Sequence, residues 1–273
     1  MRFSGDFTTP LAGIEDPVAC GLHLAGAVFF AWQAKKLVRR AGTARRRAAA
    51  LAIFAGSSVL VLAISAGYHA LAVDDAWKAT LQRADHAAIF LLIAGTLTPY
   101  HAIGFHGWGR WWMIGGTWLI ALGGLVLKNV FWSDVGEGLG LGLYMGLAAI
   151  GLGAFFVLPR RLPWVALLLM ALGALVYVAG AFADHLDVGR LVPGWFGPHE
   201  IFHVAVLSAL LLHWRFFYDW SSLGRVPPRE AVRHRAVPLP TRWSICRTRR
   251  SQPTVERTRL PPRTAAARGV PRP

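Results

Sequence analysis

The stretch GWFGPHEIFHVAVLSALLLHW, Gly194–Trp214, contains His199, Glu200, Ile201, Phe202 and His203, an H-E-x-x-H pattern. On a soluble helix that spacing puts two histidines on one face to hold zinc, with the glutamate as base. Here the pattern opens onto Val204–Leu212, a run without a charge. Two other sets of polar residues sit in equally apolar surroundings. SAGYH spaces Ser65 and His69 at i, i+4, on one helix face. ADH sets Asp85 beside His86. Ionisable side chains in apolar spans are costly and raise a functional expectation by default.

The chemistry these residues suggest is that of zinc. Three imidazoles, from His69, His199 and His203, with a fourth position left to water, make a catalytic zinc arrangement. Nitrogen donors favour zinc over magnesium or calcium. Zinc lowers the pKa of its water to about 7. Asp85 is the candidate to accept that proton, and Ser65 the candidate to orient a ligand or hold a substrate oxygen. Singly, each residue has a plainer reading. Asp85 alone begins a helix, where a carboxylate suits the dipole. Ser65 alone bonds its own backbone. A lone histidine packs between helices, which is the reading given to His23 and His213. His101, His106 and His185 are expected in or near loops, in contact with water. A protease built on HEIFH needs a third ligand downstream, and His213, Asp219, Glu230, His234 and Glu256 are poorly placed for it. Glu200 also lies about 100° from His199 around a helix axis, so it need not face a metal.

The elements that must position these residues are membrane spans. Hydrophobic residues make up 55% of the chain and charged residues 16%, against about 25% charged in soluble domains. A span needs about 20 mostly apolar residues. Seven stretches qualify: roughly Pro17–Ala34, Ala48–Ala72, Ala84–Ile103, Trp111–Val130, Leu139–Leu158, Pro163–Ala183 and His199–Tyr218. The expected fold is all-α, a polytopic seven-transmembrane-helix bundle over 17–220. A short amino-terminal segment, 1–16, precedes it, and a disordered basic tail, 221–273, follows. Span two ends in the second loop, span three leaves it, and span seven leaves the sixth. Even-numbered loops share one side of a membrane, so Ser65, His69, Asp85, His199 and His203 meet at one face.

Tryptophans near span ends (Trp108, Trp111, Trp112, Trp132, Trp164, Trp195, Trp214, Trp220) suit an interfacial belt. Glycines in spans four and five (Gly115, Gly116, Gly123, Gly124, Gly140, Gly142, Gly146, Gly151, Gly153) suit close helix packing. Cys20 and Cys246 do not suggest a disulfide framework, and no signal peptide is expected because the first apolar stretch lacks a basic lead and a cleavage-like site.

The net charge is +15, but Ser221–Pro273 holds thirteen Arg against two Glu, and so +11 of it. No nucleic-acid partner is therefore expected. With nine prolines and little apolar content the tail should not fold, and on the cytosolic side it would meet anionic lipid headgroups. Basic residues crowd the odd loops (Lys35, Lys36, Arg39, Arg40, Arg45, Arg46, Arg47, Arg110, Arg160, Arg161). Loop charge thus places the tail in the cytosol and the amino terminus outside.

SAGYH resembles the S-A-x-Y-H motif of hemolysin III proteins. DHAAIFLLIAGTLTPY, Asp85–Tyr100, resembles their D-H-x-x-I-x-x-L-I-A-G-T-Y-T-P stretch, with Leu97 where Tyr is usual. HEIFH resembles their carboxy-terminal H-x-x-x-H. The likeness covers about Pro17–Trp220, and the family is related to progestin and adipoQ receptors and, distantly, to alkaline ceramidases. The resemblance implies seven helices in a bacterial plasma membrane. It also implies zinc on His69, His199 and His203, with Asp85 and Ser65 near the metal. It further implies a hydrolase of lipid amides, or else a cytolytic or pore-forming activity. The receptor-like arrangement implies the opposite orientation to the one loop charge gives. The leading expectation is a zinc-dependent hydrolase of a lipid-like amide or ester, with membrane lipids as its surroundings. A receptor-like sensor or pore with structural zinc is the second, and a HEIFH protease the third.

Overall fold

A computed structural model describes residues 9–105, 107–157 and 163–223. The described residues form seven α-helices: α1 (Pro17–Arg39), α2 (Arg45–Ala70), α3 (Lys78–Gly104), α4 (Gly107–Val130), α5 (Glu137–Val157), α6 (Trp164–His185) and α7 (Pro198–Leu223). Six of them, all but α5, are long and apolar enough to cross a membrane; the apolar part of α5 is the shorter Glu137–Gly151. The expected tail lies outside the described residues apart from Ser221–Leu223, which continue α7 beyond the expected boundary at Trp220.

Helix ends depart from the expected spans for physical reasons. Asp16 caps α1 by accepting the Ala19 N–H at 3.1 Å, and Pro17 follows at a position where its missing N–H costs nothing. At its other end α1 runs past Ala34 through Lys35, Lys36 and Arg39; cations there suit the helix dipole. Helix α3 starts at Lys78 rather than Ala84. Lys78 Nζ donates to the Tyr68 and Leu71 carbonyls at 2.9 and 2.8 Å, satisfying acceptors at the end of α2. The polar turn KATLQR is therefore helical although hydropathy alone starts the span after it.

Helix α2 packs between α1 and α3, α7 lies against α6 and α1 and touches α2 and α3, and α3 also meets α4 and α5. The main core joins Phe30, Phe54, Leu62, Leu210, Phe216 and Phe217, and a smaller one gathers Phe90, Ala121, Tyr144 and Leu147. Outside, Leu119, Ile120, Leu175 and Val126 are exposed, as lipid-facing residues would be. The tryptophans divide. Trp108, Trp111, Trp112, Trp164 and Trp195 are exposed, as anchors would be. Trp214 and Trp220 are instead buried, Trp214 between Phe30 and Phe54 at 4.9 and 5.6 Å between ring centres.

The glycines expected to pack closely also divide. Methyl groups at Gly124, Gly140 and Gly151 would meet Phe90, Lys128 and Leu97, whereas those at Gly115, Gly116, Gly123, Gly142, Gly146 and Gly153 would meet open space. Among the glycines of α2 and α3 the closest approach between the two helices is at Gly95, where a Cβ would lie 2.7 Å from Ser57 Cβ. Gly95→Ala is expected to destabilise the bundle by about 1–3 kcal/mol through overpacking. A lowered unfolding midpoint of detergent-solubilised protein, with Gly115→Ala unchanged, is the measurement that checks it.

Candidate metal centre

The start of α1, the end of α2, the start of α3, the end of α6 and the start of α7 come together at one end of the bundle. Donor atoms of His69, His199 and His203 lie within 4.8 Å of one another. The pair on α7 shares a face because i, i+4 residues stack, and His69 reaches it from α2. The Nε2 atoms point inward: His199 Nε2 is 3.4 Å from His69 Nε2 and 3.0 Å from His203 Nε2. A tetrahedral ion with nitrogen ligands at the usual zinc distance sets those nitrogens about 3.3 Å apart. The donor set therefore fits a metal ion.

The outward nitrogens each have a partner. His69 Nδ1 lies 3.1 Å from Asp16 Oδ2, His199 Nδ1 lies 3.1 Å from Asp184 Oδ1, and His203 Nδ1 lies 2.8 Å from His23 Nε2. Asp16 is fixed three times over, because its own N–H also donates to the His69 carbonyl at 3.0 Å and its other oxygen caps α1. Burial pushes the Asp16 carboxyl up, but the His69 hydrogen bond and charge and the Ala19 N–H bring it below the ordinary carboxylate value. Residues 9–16 run from there to the α6–α7 connection, where the Thr9 N–H donates to the Gly194 carbonyl at 2.8 Å.

Asp85, on α3, lies within electrostatic reach of Ser65 and His199. Ser65 is one turn from His69 on α2 and buried. His86 points elsewhere: its Nδ1 meets the Gln82 carbonyl at 2.9 Å and its ring abuts Trp132.

His23 is buried and hydrogen-bonded between helices, as a lone span histidine is expected to be, and its partner is His203 of the centre. One expectation about histidines is corrected. His101 is fully buried rather than in contact with water, its ring packed beside those of Tyr100 and Phe105. His213 is buried and bonds the Met170 carbonyl at 3.3 Å, and His185 is exposed. His106 lies outside the described residues.

Sequence reasoning also passed over Asp16 and Asp184. The signal was the side-of-membrane argument itself. The amino-terminal end of the first span and the sixth loop lie on the same face as the even loops, which would have placed Asp16, His23 and Asp184 with the ligands.

Glu200 takes no part in the cluster. It accepts the Gly197 N–H at 2.6 Å, the reach-back of a capping box. Glu200→Ala is expected to cost about 1 kcal/mol of stability, as lost caps do. Metal content, measured by elemental analysis, should not change.

A helical multi-pass bundle with a three-histidine centre at one end of its helices defines this as an integral membrane protein with a candidate intramembrane metal site. The chain belongs to the haemolysin-III related family, whose model matches residues 14–214. It is also similar to Hemolysin-3 of Bacillus cereus, at 45% identity over 47 residues, which span 17% of this chain and 22% of that relative.

Proposed function

We propose that the chain is a zinc-dependent hydrolase of the bacterial plasma membrane, acting on an amide or ester in a lipid-like substrate. In this reading all seven helices cross the bilayer and residues beyond Leu223 form a basic tail. The observation that carries the proposal is the inward convergence of the Nε2 atoms of three histidines; Asp85 lies within electrostatic reach of one of them, His199. His69, His199 and His203 would hold the ion, and three nitrogen donors favour zinc. Bound zinc supplies a Lewis acid that polarises a carbonyl and makes water nucleophilic near neutral pH.

The chain's own groups supply the rest. Asp85 is set to take the proton from attacking water at its carboxylate oxygen and return it to the leaving group. Ser65 orients that carboxyl through its hydroxyl. The site lies at the ends of the helices, where an interfacial lipid presents its linkage while its tail stays among apolar neighbours. The HEIFH protease reading loses support, since Glu200 is engaged with Gly197.

Purified protein incubated with a panel of ceramide-like amides and lipid esters is expected to release fatty acid, and a zinc chelator should abolish the release. Metal-replete protein that turns over no member of the panel would overturn the hydrolase reading in favour of a receptor-like sensor or a cytolytic protein with structural zinc.

A further inference from the structure

We infer that Asp16, Asp184 and His23 are positioning residues for the metal, each acting through one ligand histidine; this rests on the metal site proposed above. The chemistry of the partners fixes the ligands' protons. An ionised carboxylate can only accept a hydrogen bond. Facing Asp16 and Asp184 at 3.1 Å, Nδ1 of His69 and of His199 must each carry the proton. Their Nε2 lone pairs then point into the cluster, ready for an ion. Such outer partners orient metal-binding imidazoles and raise their basicity. Of the two carboxylates, that of Asp16 is buried and that of Asp184 is more exposed, so the charge of Asp16 is the less screened by water.

The third leg differs. Between His203 Nδ1 and His23 Nε2, 2.8 Å apart, either ring can be the donor. If His23 donates, His203 carries its proton on Nε2 and can pass it to His199 Nε2 at 3.0 Å. That arrangement is a hydrogen-bonded chain with no free ligand at His203. If His203 donates, its Nε2 is free to bind the ion and His23 carries its proton on Nδ1, a buried atom without a partner among the described residues. The His69 and His199 legs are therefore preset for metal, and the His203 leg rearranges when metal arrives.

The test uses Asp16→Asn and Asp184→Asn in the full chain. Asparagine still caps α1 well at position 16 and still offers an oxygen to Nδ1, so the charge is lost with little change of shape. Zinc affinity is measured by competition with a chromophoric chelator, and the visible spectrum of the cobalt(II) form reports ligand geometry. Each variant is expected to bind zinc about 10–100-fold more weakly, with an altered cobalt spectrum and an unchanged unfolding midpoint of the metal-free protein. His23→Gln, which keeps an acceptor, should bind better than His23→Leu. Less than tenfold weakening in both aspartate variants, or cobalt spectra identical to that of the unaltered chain, would overturn the inference and leave the metal site standing. An unaltered chain that binds no zinc would overturn the site itself.

Discussion

His203→Ala is expected to empty the metal centre. The unaltered chain should carry about one zinc per chain, and the variant should lose it at micromolar free metal. His203 Nε2 is one of three converging donors and lies 3.0 Å from its neighbour on the same helix. Removing it leaves His69 and His199, two ligands on separate helices, and an ion with two open positions. The loss should exceed the about 10–100-fold that outer partners cost. The side chain is 2% exposed, so truncation also leaves a cavity, and folding must be checked by size-exclusion profile and unfolding midpoint. A folded variant that keeps a full equivalent of zinc would show that the ion sits elsewhere.

Asp85→Asn is expected to separate binding from turnover. The Asp85 carboxyl is within electrostatic reach of His199 but outside the group of converging donors. Asparagine keeps the shape and loses the capacity to take a proton. General acid–base groups contribute about 10²–10⁴-fold to rate, so lipid hydrolysis should fall by that order while zinc content stays at one. A variant with undiminished turnover would remove Asp85 from the mechanism. One that has lost its zinc would make it a ligand.

Much of the histidine cluster could be read from the chain, because its members leave two kinds of trace. The i, i+4 pair on α7 and the Ser65–His69 pair on α2 have helical spacing, and counting spans puts them on one side. Asp16, Asp184 and His23 leave no such trace: each meets the cluster through the outward nitrogen of one of its histidines, and each has an ordinary alternative as a cap, a span-end carboxylate or a packed imidazole. The buried Trp214 and Trp220 illustrate a different difficulty. A tryptophan near a span end suits the interface, but helix rotation decides which way it faces. Leu210, Trp214 and Phe217 share one face of α7, and that face meets Phe30 and Phe54. Likewise, hydropathy could not place the start of α3, since Lys78 and Arg83 are polar and helical together.

The centre takes residues from five helices or their caps, beginning at Asp16 and ending at His203. That span gives metal loading a place in biogenesis. Chains enter the membrane from the amino-terminal end, so two of the three ligands arrive only with the last helix. A chain stalled before α7 holds His69 alone and cannot retain an ion. With the proposed metal site, capture would be a late event, and a loaded centre would certify that the bundle has been completed.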